Sequence, residues 1–182
     1  MVHSQHMKEL LNLIQTTFAN VPYPGDSNLR NSDEGDEPFL LEEEFSGKDD
    51  WKTLPTKFID QAPDGFASAL SFFSREAFRF YLPAYLLADL RGELLYSDPL
   101  FHLTFGLTDK TKDVLVNPHR YGSLTWYEYE SDRFSVFTAQ EVDVIVAYLK
   151  VKMRQADLEY QREEIAQALR NYWEQAAFIK DG

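Results

Sequence analysis

The sequence predicts a mainly α fold: a single compact multi-helix domain over residues 1–182, with a Pro-bent central helix and at most one small β-hairpin. Three observations carry this. Ser74 is a good N-cap, Phe73 and Phe78 stand at staple positions, and Gly92 closes a helix of about sixteen residues. Thr138-Ala139-Gln140-Glu141 spells a capping box, with Phe137 and Val142 as its staple. Leu10, Leu11, Ile14 and Phe18 recur at helical spacing between Met7 and Ala19.

In chain order, residues 1–6 show no pattern and are expected to be disordered. The first helix should stop at Val21-Pro22-Tyr23-Pro24-Gly25-Asp26, which cannot continue it. Residues 27–37 hold almost no apolar side chains and predict an exposed acidic loop. Phe39, Leu40, Leu41 and Phe45 then dock the chain again, with Glu42 to Glu44 facing water. Trp51 to Ala62 reads as one or two short helices, with Thr53 as a candidate N-cap before Pro55. In the central helix only Arg75, Glu76, Arg79 and Asp89 are plainly polar, so much of its circumference should be buried. Pro83 has no N–H to donate to the carbonyl of Arg79, which predicts a bend there.

Asp98-Pro99 opens a short helical piece that Gly106 should end. Ser123 to Phe137 is rich in Thr, Tyr, Trp, Phe and Val, and Ser131-Asp132 could turn a hairpin. Beyond the Thr138 capping box, Val142, Ile145, Leu149, Met153 and Ala156 sustain an apolar stripe. Gln161 to Glu164 should interrupt it before Ile165, Leu169, Trp173 and Ala176 form a second stripe.

Composition narrows the function classes. A chain of 182 residues is long enough to bury about 70% of its unfolded surface, so it needs no disulfide or metal staple. It contains no cysteine, which excludes a thiol nucleophile and thiolate-held metal clusters. The longest apolar run, Phe80 to Ala88, is too short to span a bilayer, and no secretory leader pattern opens the sequence. These features predict a cytoplasmic protein with no membrane partner.

The net charge of −12 opposes attraction to nucleic acid and anionic lipid. Ten acids and two bases between Asp26 and Asp50 concentrate −8 of it. Lys150, Lys152 and Arg154 cluster on one helix, where ordinary charge pairs account for them better than nucleic-acid binding does.

The segment Leu70-Ser71-Phe72-Phe73-Ser74-Arg75-Glu76-Ala77-Phe78-Arg79-Phe80-Tyr81-Leu82-Pro83-Ala84-Tyr85-Leu86-Leu87 resembles the signature of an uncharacterised bacterial family of unknown function. Val21 to Asp26, the helix start at Phe137-Thr138 and Ala168-Leu169-Arg170-Asn171-Tyr172-Trp173 resemble the same family. Ser74-Arg75 departs from the Ser-Pro of that pattern, and both pairs suit a helix N-terminus. The resemblance supports the fold reading and brings no catalytic residues.

The common chemistries are poorly served. The eight glycines lie at 25, 35, 47, 65, 92, 106, 122 and 182, with no two closer than ten residues, so no phosphate-binding or dinucleotide loop can be built. Gly65-Phe66-Ala67-Ser68 lacks the second glycine of a nucleophile elbow. His3 and His6 have helical spacing near the terminus, His102 and His119 are isolated, and Asn31, Asp33, Asp36 and Glu37 do not match a calcium-loop register because position five is Gly35. Glu128 with Glu130 on a strand face, and Glu159 with Glu163 on a helix face, read as solvated pairs rather than an acid and a base.

Neither a metal nor a cofactor is therefore expected, and the chain leans away from being an enzyme. The leading expectation is a protein-interaction module, immunity-like in its most specific form, that docks a basic partner through Asp33, Glu34, Asp36, Glu37, Glu42, Glu43 and Glu44. The alternative is a small-ligand binder or enzyme with a pocket near the Pro83 bend, lined by Arg79, Tyr81, Tyr85 and His102.

Overall fold

A computed structural model describes residues 2–61 and 69–181, with side chains described over 5–61 and 69–179. The Gly65–Ser68 stretch, the end of the 51–62 segment and the His3 side chain lie outside the described residues. The fold is mainly α. The chain forms two compact units, residues 1–99 and 100–182. Among the described residues no helix is long and apolar enough to cross a membrane.

In the first unit, α1 (Val2–Thr17) begins before the Met7 start expected, so residues 2–6 belong to a helix rather than to a disordered end. Leu10 and Ile14, with Phe18 just beyond the helix, are buried. Helix α2 (Glu37–Phe45) places Pro38 in its first turn, where a missing N–H costs nothing, and buries Pro38, Leu41 and Phe45. The loop before it is not wholly exposed. Leu29 is completely buried, the Ser74 N–H donates to the Leu29 carbonyl, and the Asn31 N–H donates to that of Phe72.

Asp50 caps the turn at Trp51–Thr53 by accepting from the Lys52 N–H, and α3 (Thr56–Ile59) has Pro55 at its N-cap position with no side-chain cap, so Thr53 is not the cap of that helix. Helix α4 (Ala69–Phe72) leads into α5 (Arg75–Leu90), where the Ser74 Oγ accepts from the Ala77 N–H and donates to the Asn28 carbonyl. Every residue of α5 from Phe80 to Ala88 is buried, and the helix continues through Pro83. Each large apolar side chain so buried contributes about 1.5–3 kcal/mol, enough to offset the roughly 3 kcal/mol cost of an internal proline. At its end Gly92 takes φ 70°, a left-handed turn natural to glycine.

In the second unit, α6 (Pro99–Thr104) runs into a 3₁₀ turn at Phe105–Leu107. Gly106 does more than stop a helix: a Cβ there would lie 2.6 Å from Glu130 Cγ and 3.2 Å from the Trp126 carbonyl. Its lack of a side chain permits that close approach. After the short α7 (Pro118–Tyr121), the stretch expected as a hairpin is instead α8 (Trp126–Phe134). Thr125 and Glu128 form a capping box, and the only strand-like feature nearby is one bridge between Leu115 and Thr125.

Helix α9 (Ala139–Gln155) starts at the expected box of Thr138 and Glu141. The helix is interrupted at Ala156–Leu158, before the polar run at Gln161, and α10 (Glu159–Ala168) follows. A π-helical turn at Leu169–Trp173 leads into α11 (Glu174–Asp181). Trp173 is fully buried, packs 4.7 Å from Phe134 and donates its indole N–H to the Leu103 carbonyl at 2.8 Å.

Candidate functional site

The acidic stretch is not one uniform surface. Asp36 and Glu37 open α2, where carboxylates complement the partial positive charge of the helix N-terminus. Helix electrostatics therefore account for them. Asp33 is exposed and forms an ion pair with Arg30, and Glu42 accepts from Arg30 Nε at 2.7 Å. The same guanidinium lies 4.3 Å over the Phe39 ring, so one cation holds two of the acids against an aromatic face. Glu34 is exposed, and its N–H donates to Ser32 Oγ.

Glu43 and Glu44 differ from these. They are exposed near the C-terminus of α2, an end without basic residues, where the partial negative charge of the helix opposes them. Beside them Phe39 and Leu40 are 47% and 43% exposed, on a helix that already buries three other side chains. Phe39, Glu42 and Glu43 line a shallow cleft of about 400 Å³ with Asp26, Ser27 and Ser46. The cleft floor is fixed: Asp26 accepts from the Tyr23 hydroxyl and from the Gly47 N–H. Those bonds hold the Asp26 carboxyl below its usual range. Burial, then the bond to Asp26, pushes the Tyr23 phenol up to about 12. In the cleft Arg30 already engages Glu42 and the Phe39 ring, and the exposed Glu43 carboxylate is the group placed to meet a basic side chain.

The other candidate group is split. Arg79, Tyr81 and Tyr85 lie on α5 in the first unit and His102 lies on α6 in the second. Tyr81 is fully buried, stacks on Phe73 at 5.0 Å and donates its hydroxyl to the Lys48 carbonyl at 2.8 Å, as a core tyrosine does. Tyr85 is also fully buried, and its hydroxyl has no hydrogen-bond partner among the described residues. Burial, and secondarily the Arg133 charge, lowers the His102 imidazole to about 3, which leaves it neutral at pH 7.

Two arrangements escaped the sequence reading. Asp60 is buried, and its carboxylate accepts from the N–H groups of Leu95, Tyr96 and Ser97 at 2.6, 3.0 and 2.7 Å. The chain before Asp60 and the chain after α5 line an open cavity of about 1190 Å³. In the second unit, Glu130 and Arg133 form a buried pair at 3.6 Å. Burial pushes the Glu130 carboxyl up and the Arg133 charge only partly restores it. Glu130 therefore does not share a solvated face with Glu128: the helix turns Glu128 outward into its capping box and Glu130 inward.

The polar pairs elsewhere are ordinary. Glu159 bonds Arg162, Glu163 accepts from Gln167, and Lys150 pairs with Glu174 at 3.0 Å. Among the described residues, no group of three or more His, Asp or Glu is placed to hold a metal ion.

No curated protein and no solved structure matches the chain. A family model matches residues 6–177, nearly the whole sequence, and the chain therefore belongs to DUF6714, a family of unknown function.

Proposed function

We propose that this protein is a non-enzymatic, cytoplasmic interaction module that docks a basic protein through the exposed face of α2. The observation that carries this reading is the pairing of Glu43 and Glu44 with exposed Phe39 and Leu40 at the helix end where carboxylates are disfavoured. Each such charge costs about 0.3–1 kcal/mol there, and exposed Phe39 and Leu40 forgo burial. A basic partner with an apolar centre recovers both losses, since its cations meet the carboxylates and its apolar groups cover the ring and the leucine. The narrowest form of the reading is immunity-like: the acidic face occupies the cationic cleft of a basic protein and keeps its substrate out.

Capture from the source cell's lysate tests this with three forms of the chain: native, Glu43→Gln/Glu44→Gln, and Asp143→Asn/Asp157→Asn. The last makes the same charge change in the second unit. The expected result is a basic protein recovered by the native and distal forms, released by salt, and lost from the α2 form. Equal recovery by all three forms, or by none, defeats the proposal.

A further inference from the structure

The cavity beside Asp60 is built from two chain segments that the buried carboxylate ties together. Pro55 and Phe58 form one wall, and Phe58 is itself anchored on Phe45 with ring centres 4.9 Å apart. Leu95 and Tyr96 form the other wall. Their backbone is fixed by Asp60, yet their side chains are 82% and 60% exposed. Three charge-assisted hydrogen bonds thus hold two large apolar side chains out in water. Core formation gains nothing from that placement, whereas a molecule seated in the cavity would cover both.

The charges select the class of molecule. Glu44 and Glu93 line the cavity, and Glu93 is oriented by the Thr56 hydroxyl, which donates to its Oε2 at 3.0 Å. The Asp60 carboxylate adds negative charge behind them. Among the described residues Lys57 is the only cation in the lining, and its side chain is exposed. An anion would meet carboxylates from two sides, whereas a cation would meet those carboxylates and the Tyr96 ring, since the Lys48 ammonium already lies 5.7 Å from the Phe58 ring centre. At about 1190 Å³ the cavity is slightly larger than the roughly 300–1,000 Å³ typical of small-molecule sites, so a small ligand leaves room for water.

We propose that this cavity is a binding site for a small organic ammonium ion carrying an aromatic or aliphatic body. The body lies between Phe58 and the Leu95-Tyr96 wall, and the ammonium points to Glu93 and Glu44. This proposal is independent of the docking face, although Glu44 belongs to α2, so its test rests on Glu93 and Tyr96.

The test is an amide chemical-shift titration of the full chain with 2-phenylethylammonium, with neutral 2-phenylethanol as the shape control. The ammonium should give saturable shifts at residues 56–61 and 93–96, and the alcohol should bind about tenfold more weakly. Glu93→Gln keeps the bond from Thr56 and should weaken the ammonium about fivefold, while Tyr96→Ala should weaken both probes. Asp157→Asn, an equal charge change in the second unit, should alter neither. The proposal fails if no saturable shifts appear at those amides, if the alcohol binds as well as the ammonium, or if Asp157→Asn weakens binding as much as Glu93→Gln.

Discussion

Helices α2 and α5 lie in the same unit and use the core in opposite ways. Helix α5 is buried along its whole middle, and α1, α3 and the Trp51–Thr53 turn pack against it. Helix α2 buries Pro38, Leu41 and Phe45 and leaves Phe39, Leu40, Glu43 and Glu44 in water. Stability therefore resides in α5 and surface chemistry in α2. A helix that needs only one stripe to stay docked is free to carry charges and apolar groups that folding does not require.

The largest expected effect tests that division directly. Phe78→Ala should lower the unfolding free energy by about 3–5 kcal/mol, and Leu41→Ala by about 2–3 kcal/mol because the change at Leu41 removes fewer atoms and the nine-residue α2 can shift to fill the space. Equal losses in chemical denaturation would show that α2 is as much core as α5. Next is Asp60→Asn, expected to cost about 1.5–3 kcal/mol near pH 7, since a charged acceptor of three N–H groups is replaced by a neutral one.

The pH dependence at Asp60 has a definite sign. Burial alone would raise its carboxyl, but the bonds from Leu95, Ser97 and Tyr96 outweigh burial and leave it below 3.8. Its stabilisation is therefore complete above the unfolded value and disappears as pH falls through the folded value. Unfolding measured between pH 7 and pH 3 should show the native chain losing its advantage over Asp60→Asn at the acid end. A constant difference would contradict that account.

Ser74→Ala should cost about 1 kcal/mol, since it frees the Ala77 N–H at the start of the more buried helix. Smallest of all, Glu43→Gln/Glu44→Gln should raise stability by about 0.6 kcal/mol, the low end of the helix-end charge effect taken twice, because both side chains are exposed and screened by salt. A stabilised variant that no longer captures its partner would separate docking from folding on the same helix.

Much of the helical frame was legible because its signals are local. Ser74 and Gly92 bound α5 within the chain itself, and Thr138 with Glu141 starts α9 by bonds spanning three residues. The same box at Thr125 and Glu128 was legible too, but the Thr, Tyr, Trp and Phe around it favour strand equally well. Tertiary burial of Glu130, Arg133 and Phe134 decided for helix.

For the candidate sites, the acidic run was plain in the sequence and its division was not. Which acids Arg30 neutralises depends on α2 folding back beside residue 30, and α2 takes that position through Leu41 and Phe45. The cavity left no local trace, because Asp60 meets its N–H partners across more than thirty residues. By itself the sequence determined the two ends of α5, the start of α9, the acidic bias and the absence of the common catalytic motifs, all encoded within a few neighbouring residues. Only the tertiary structure decided which charges are satisfied and which apolar side chains remain in water, because those outcomes depend on distant segments meeting, and packing controls that.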